Sequence, residues 1–133
     1  DPSDMSRINL VDPDDLIVQK LRKAKTDAEP LPETADGLAE RAEARNLVTI
    51  YAALADTGVD AVLAQFAGQG FGTFKPALAD LAVATLRPIR ERLTALLDDR
   101  AAVGAILERG AERARALAAP TLKAAQDAVG LLI

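Results

Sequence analysis

The stretch that decides the fold is Thr73-Phe74-Lys75-Pro76-Ala77-Leu78-Ala79-Asp80-Leu81-Ala82-Val83-Ala84-Thr85-Leu86-Arg87-Pro88-Ile89-Arg90-Glu91-Arg92-Leu93-Thr94-Ala95-Leu96-Leu97. Leu78, Leu81, Thr85, Ile89, Leu93 and Leu96 recur every three or four residues. That spacing predicts a helix from Thr73 or Pro76 to about Leu97 with one apolar face. Pro88 lies inside it and predicts a kink, because proline removes a hydrogen bond to the preceding turn. A further helix is expected from Asp99, with Val103, Leu107, Gly110, Ala114, Leu117, Leu122, Ala125 and Val129 on its inner side. Gly110 and Ala114 are small enough to admit a close neighbour, and Pro120 predicts a bend.

Working back along the chain, Val59 to Ala67 reads as a short helix ending in Gly68-Gln69-Gly70-Phe71-Gly72. These glycines follow no strand and lack the dinucleotide-binding spacing, so they read as a turn between helices. Leu47, Ile50, Tyr51 and Leu54 mark another helix, with Gly58 where a C-terminal cap belongs. Residues 27–42 read as a linker, since Pro30, Pro32 and Gly37 oppose a regular helix. Asp12-Pro13-Asp14-Asp15 supplies a capping oxygen, a first-turn proline and carboxylates at a helix start. Leu16, Ile17, Leu21 and Ala24 then share a face, and Lys20, Arg22, Lys23 and Lys25 are placed off it, in solvent near the helix end. No alternating strand pattern appears. The expected fold is all-α, a helical bundle of four to five helices packed around Leu and Ala.

The 133 residues suit one domain with a real core, and 50% apolar and 27% charged content suits a globular chain. No apolar run is long enough to span a bilayer, and no secretory signal is present. Cys and His are both absent, which removes disulfides, thiolate metal sites, the commonest zinc ligands and the usual nucleophile–base pairs. Neither a metal-ligand set nor a phosphate loop can be assembled. Asp14/Asp15 and Asp98/Asp99 sit where helix starts place carboxylates. The inventory suits a binding or scaffolding segment better than an active site, and no catalytic residue and no metal site are assigned.

The net charge is −4, but unevenly spread. Residues 1–40 carry a net −5 and residues 81–133 a net +2. Local basic patches, rather than total charge, decide nucleic-acid binding. Three basic groups are candidates: Lys20/Arg22/Lys23/Lys25, Arg87/Arg90/Arg92 and Arg109/Arg113/Arg115. Arg109 and Arg113 lie one helical turn apart, with Glu108 and Glu112 alongside, a pattern that also describes a solvated mixed-charge helix. Aromatic platforms for stacking bases are few: Tyr51, Phe66, Phe71 and Phe74.

Several segments, in order, resemble the bacterial tryptophanyl-tRNA synthetases. Asp1-Pro2-Ser3 looks like the trailing edge of the class I signature loop written KMSKS. Ile8-Asn9-Leu10 and Asp12-Pro13-Asp14-Asp15 follow, and then the basic stretch from Lys20 to Asp27. Asn46-Leu47-Val48-Thr49-Ile50-Tyr51, Phe74-Lys75-Pro76-Ala77-Leu78-Ala79-Asp80, Leu86-Arg87-Pro88-Ile89, Gly110-Ala111-Glu112-Arg113-Ala114 and Val129-Gly130-Leu131 also look like family segments. The resemblance covers essentially the whole chain. It implies the C-terminal helical part of a cytoplasmic, homodimeric enzyme that activates tryptophan with ATP and magnesium and charges tRNA(Trp). On that basis residues 1–11 are the loop edge and link from the catalytic domain, and residues 12–133 the helical tRNA-binding domain. The parent's dimer contact would lie in the catalytic domain, no cofactor is expected in this part, and it would be inactive alone. Asp1, Pro2 and Ser3 are the ATP-loop edge. Lys20, Arg22, Lys23, Lys25, Arg87, Arg90, Arg109 and Arg113 are the tRNA-contact candidates. The alternative is a free-standing helical protein-interaction module with no nucleic-acid role, which the acidic net charge suits.

Overall fold

The computed structural model describes residues 3–130, so the expectations at Asp1, Pro2 and Leu131 lie outside the described residues. Among the described residues every regular element is helical, as the periodicity requires: α1 (Asp14–Lys23), α2 (Ala42–Leu54), α3 (Val59–Phe66), α4 (Phe71–Asp98) and α5 (Arg100–Ala128), with short 310 turns at Asp4–Ser6 and Ala35–Leu38. Two compact units are present, one up to Leu93 and one from Thr94 onward, with α4 contributing to each.

In the first unit the core is formed by Ile17 and Leu21 of α1, Leu47 and Val48 of α2, Val62, Leu63 and Phe66 of α3, and Phe71, Phe74 and Leu78 of α4. Its centre is aromatic. Phe74 meets Phe66 edge-on at 5.1 Å, and Tyr51 meets Phe66 at 5.3 Å. Phe71 closes the cluster against Phe74 at 6.3 Å. Edge-to-face packing suits the ring quadrupoles, and it leaves Phe66, Phe71 and Phe74 in the core with Tyr51 half-buried against them.

Residues 27–42 are no free linker. Leu31 is buried, and it pairs with the α3–α4 turn through Leu31 N–H to Gln69 O and Gly68 N–H to Leu31 O, each 2.9 Å. Gly68 takes φ +73°, which only glycine adopts cheaply. Arg41 closes the loop at its base, donating to both Asp27 carboxylate oxygens (2.9 and 2.6 Å) and to the Pro30 and Glu29 carbonyls. The prolines do exclude a helix, but the loop still adds Leu31 and Leu38 to the core.

Other expectations are corrected. The α2 end turns at Asp56, φ +51°, with Thr57 N–H reaching back to Ala52 O at 2.9 Å. Gly58 instead precedes α3 as its N-cap. Asp12 does not cap α1; Pro13 holds that position, and the Asp12 side chain is engaged elsewhere. The buried face of α4 runs from Phe71 through Phe74, Leu78 and Ala79 to Ala82, whereas Ile89 is exposed. The helix continues through Pro76 and Pro88. Asp99 caps α5 as expected for that start, accepting from Ala102 N–H at 2.9 Å, and α5 continues through Pro120. The expected inner stripe of α5 is not buried: no α5 residue is, and Leu117 is 80% exposed. The periodicity marked an apolar face correctly but not whether this chain covers it.

Candidate functional site

The first basic group divides sharply. Lys20 lies one turn after Leu16 and Ile17, on the inward face of α1, and only 3% of it is exposed. Its ammonium donates to Asp12 Oδ2 at 2.6 Å and sits 2.9 Å from Asp4 Oδ2. Asn9 completes the cluster. Its side-chain amide donates to Asp4 Oδ1 (2.9 Å) and Asp12 Oδ1 (3.2 Å), and its backbone N–H donates to Asp12 Oδ2 (2.9 Å). Burial opposes the charge on Lys20, but the two carboxylates outweigh it and hold its pKa above the ordinary value. Burial likewise pushes Asp12 up, yet hydrogen bonds from Lys20 and Asn9 hold it below the usual carboxylate range. Asp4 is lowered by its hydrogen bonds from Lys20 and Asn9. The expectation that Lys20 stands in solvent is therefore overturned.

Arg22 and Lys23 remain exposed, with no ion pair among the described residues. Lys25 meets Glu43 at 2.8 Å on the surface. Lys75 of α4 donates to the Ala24 carbonyl at 2.7 Å, a cation satisfying the end of α1.

The second group is also committed. Arg87 donates to Asp14 Oδ2 through both Nε (3.0 Å) and Nη2 (2.8 Å). Arg90 pairs with Asp14 Oδ1 at 2.7 Å and donates to the Asp12 carbonyl at 2.9 Å. Asp14 is held low by Arg90 first, against burial, with Arg87 adding to it. These hydrogen bonds join α4 to the start of α1. Lys20, Arg87 and Arg90 thus face three carboxylates (Asp4, Asp12, Asp14), with Arg7 also 3.8 Å from Asp4 Oδ1, so every carboxylate of the cluster has a cation partner.

Arg109 and Arg113 are exposed on α5, with no ion pair among the described residues. Of the eight cations singled out from the sequence, Arg22, Lys23, Arg109 and Arg113 are the ones left uncommitted among the described residues. Sequence reasoning missed Asp4 and Asp12 as partners of Lys20, and Asn9 as the amide that bonds to both carboxylates. The signal was present: Lys20 stands three residues after Ile17 and four before Ala24, on the stripe itself.

Among the described residues no His, Cys, Asp or Glu grouping could hold a metal ion. A cleft of about 390 Å³ lies between Met5–Ile8 and the α1–α2 surface of Leu21, Ala24 and Asn46. Among the described residues no single helix is long and apolar enough to cross a membrane.

Among the described residues fold and site define an all-α segment with a buried Lys20–Asp12 ion pair at the α1–α4 junction and uncommitted cations on its surface. No family model matches the chain. It is 60% identical over 130 residues to the tryptophan–tRNA ligase of Caulobacter vibrioides, covering 98% of this chain and 38% of that protein. It is 56% identical to that of Rhizobium meliloti, covering 99% of this chain and 37% of the relative. The Prochlorococcus marinus enzyme is 44% identical over 133 residues, 39% of its length. The chain is thus similar to tryptophan–tRNA ligases over nearly its whole length, and it spans somewhat over a third of the length of these relatives.

Proposed function

We propose that this chain is the C-terminal helical part of a tryptophan–tRNA ligase, an enzyme that uses ATP and magnesium to activate tryptophan and then charges tRNA(Trp). In this reading residues 1–11 link to the catalytic domain, with Asp1, Pro2 and Ser3 at the edge of its ATP loop. Residues 12–133 hold the anticodon region of the tRNA. The work is positional: phosphate contacts fix the tRNA, and domain closure carries the effect to a distant active site. The parent acts as a cytoplasmic homodimer joined through its catalytic domain.

The observation that carries this reading is identity above 50% to several tryptophan–tRNA ligases over nearly the whole chain. The sorting of the basic residues adds to it. Of the eight candidates, Arg22, Lys23, Arg109 and Arg113 remain available for phosphate. With all four aromatics packed together, guanidinium groups are left to stack on or bond to the nucleic acid.

Two measurements test it. The purified 133-residue chain should show no tryptophan-dependent ATP–pyrophosphate exchange. It should bind a tRNA(Trp) anticodon stem-loop with an affinity that falls steeply with salt. Exchange by the chain alone would refute its non-catalytic role. Absence of binding even at low salt would favour a helical protein-interaction module.

A further inference from the structure

Asp4 is held in place without being packed. None of the residues of its 310 turn is buried, and a cleft of about 390 Å³ separates Met5–Ile8 from the α1–α2 surface. Polar interactions hold the turn instead. Within it, Ser3 accepts from Met5 N–H through Oγ (3.3 Å) and from Ser6 N–H through its carbonyl (3.2 Å). Towards the helices, Asp4 receives Lys20 Nζ at 2.9 Å and Asn9 Nδ2 at 2.9 Å. Lys20 does not need Asp4 for neutrality, because Asp12 already offers one buried carboxylate at 2.6 Å. The second carboxylate instead extends the reach of Lys20 from the core to a turn on the surface. The line of hydrogen bonds continues inward, since Arg90 of α4 donates to the Asp12 carbonyl.

We propose that Lys20 is a positioning residue which, through Asp4, fixes the segment preceding α1 on the helical unit. This rests on the ligase reading, in which the chain just before Ser3 handles ATP. Lys20 and Asp4 touch no substrate. Ile8, packed against the core, and Asn9, bonded to Asp12, anchor the end of this segment next to α1, and the Lys20–Asp4 pair ties its earlier turn to the same helices, so that a shift of the helices is passed on to the loop start. Asp4 is the site to test, because it is more than half exposed and its removal leaves the buried Lys20–Asp12 pair intact.

The experiment uses Asp4→Ala in two settings. In the 133-residue chain, hydrogen exchange at the amides of Met5 to Asn9 should accelerate, while the melting temperature stays nearly constant. In the Caulobacter vibrioides ligase, the matching segment is replaced by this chain, and ATP–pyrophosphate exchange is followed. There Asp4→Ala should raise the KM for ATP by roughly ten-fold, a misplacement effect, with the KM for tryptophan little changed. An unchanged KM for ATP, or equal rises for both substrates, overturns the proposal. Failure of the unsubstituted chimera to exchange at all would refute the ligase reading and the proposal with it. Lys20→Met should reproduce the ATP effect, and additionally lower the melting temperature because Asp12 is left buried without its cation.

Discussion

Gly37 lies directly over Pro32: a Cβ built at Gly37 would stand 2.5 Å from Pro32 Cβ and 3.0 Å from its Cγ. The proline ring cannot rotate away, and the loop around it is fixed by Leu31 in the core and by the Arg41–Asp27 clasp. Gly37→Ala must therefore move backbone. It should cost about 1–3 kcal/mol, the usual range for overpacking, read as a lower urea midpoint at unchanged slope. Gly110→Ala is the natural contrast, because nothing stands within 4 Å of its Cβ position. There the helix preference of alanine acts alone, and helicity and stability should rise by up to ~1 kcal/mol.

Burial predicts a second contrast. Phe74 is fully buried at the centre of the aromatic cluster, so Phe74→Ala should cost about 3–5 kcal/mol. Leu117 carries the same kind of apolar side chain at 80% exposure, and Leu117→Ala in this chain should stay within about 0.5 kcal/mol. Parallel chemical denaturation of the two variants checks both values. A destabilisation at Leu117 as large as that at Phe74 would mean that α5 is covered in solution.

The ion-pair cluster predicts how stability follows pH. Asp4, Asp12 and Asp14 have pKa values below the ordinary carboxylate range in the folded chain. A carboxylate whose pKa falls on folding stabilises fully above its unfolded value, about pH 4, and loses that contribution as pH drops through the folded value. Lys20 is raised, so its contribution is complete below its unfolded value, about pH 10.4, and is lost as pH rises through the folded one. These groups therefore predict a plateau between those limits, with a decline on either side. Melting temperature against pH for the chain and for Asp12→Asn measures it, and the variant should show a shallower acid limb.

Much of this was legible in the sequence, and the parts that were not share a cause. Periodicity located all five helices because each has an apolar stripe or clear end signals, as at Asp99. It misplaced Lys20 because residue type was allowed to overrule position. A lysine on the stripe reads as solvated until a carboxylate such as Asp12, eight residues earlier, is known to meet it. It misread residues 27–42 because proline excludes a helix without excluding burial, and the partners of Leu31 lie nearly forty residues away, at Gly68 and Gln69. The α5 stripe shows the reverse limit. Amphipathicity marks a face that can be buried, not what buries it.

The sorting of the basic residues yields the last prediction. Arg109 and Arg113 project together from α5 and are paired with no carboxylate among the described residues, whereas Arg87 and Arg90 are tied to Asp14. A guanidinium already bound to a carboxylate must give up that pair before it can take a phosphate, so it adds less to tRNA affinity. On the proposed function, Arg109→Gln/Arg113→Gln should weaken stem-loop binding and reduce the slope of log affinity against log salt by roughly two, one for each phosphate no longer neutralised. Arg87→Gln should leave that slope nearly unchanged, and instead weaken the junction of α1 and α4, visible as a modest drop in melting temperature. Titration at several salt concentrations separates the two effects. A slope that falls with Arg87→Gln but not with the α5 double variant would move the phosphate-binding surface from α5 to the α1–α4 junction.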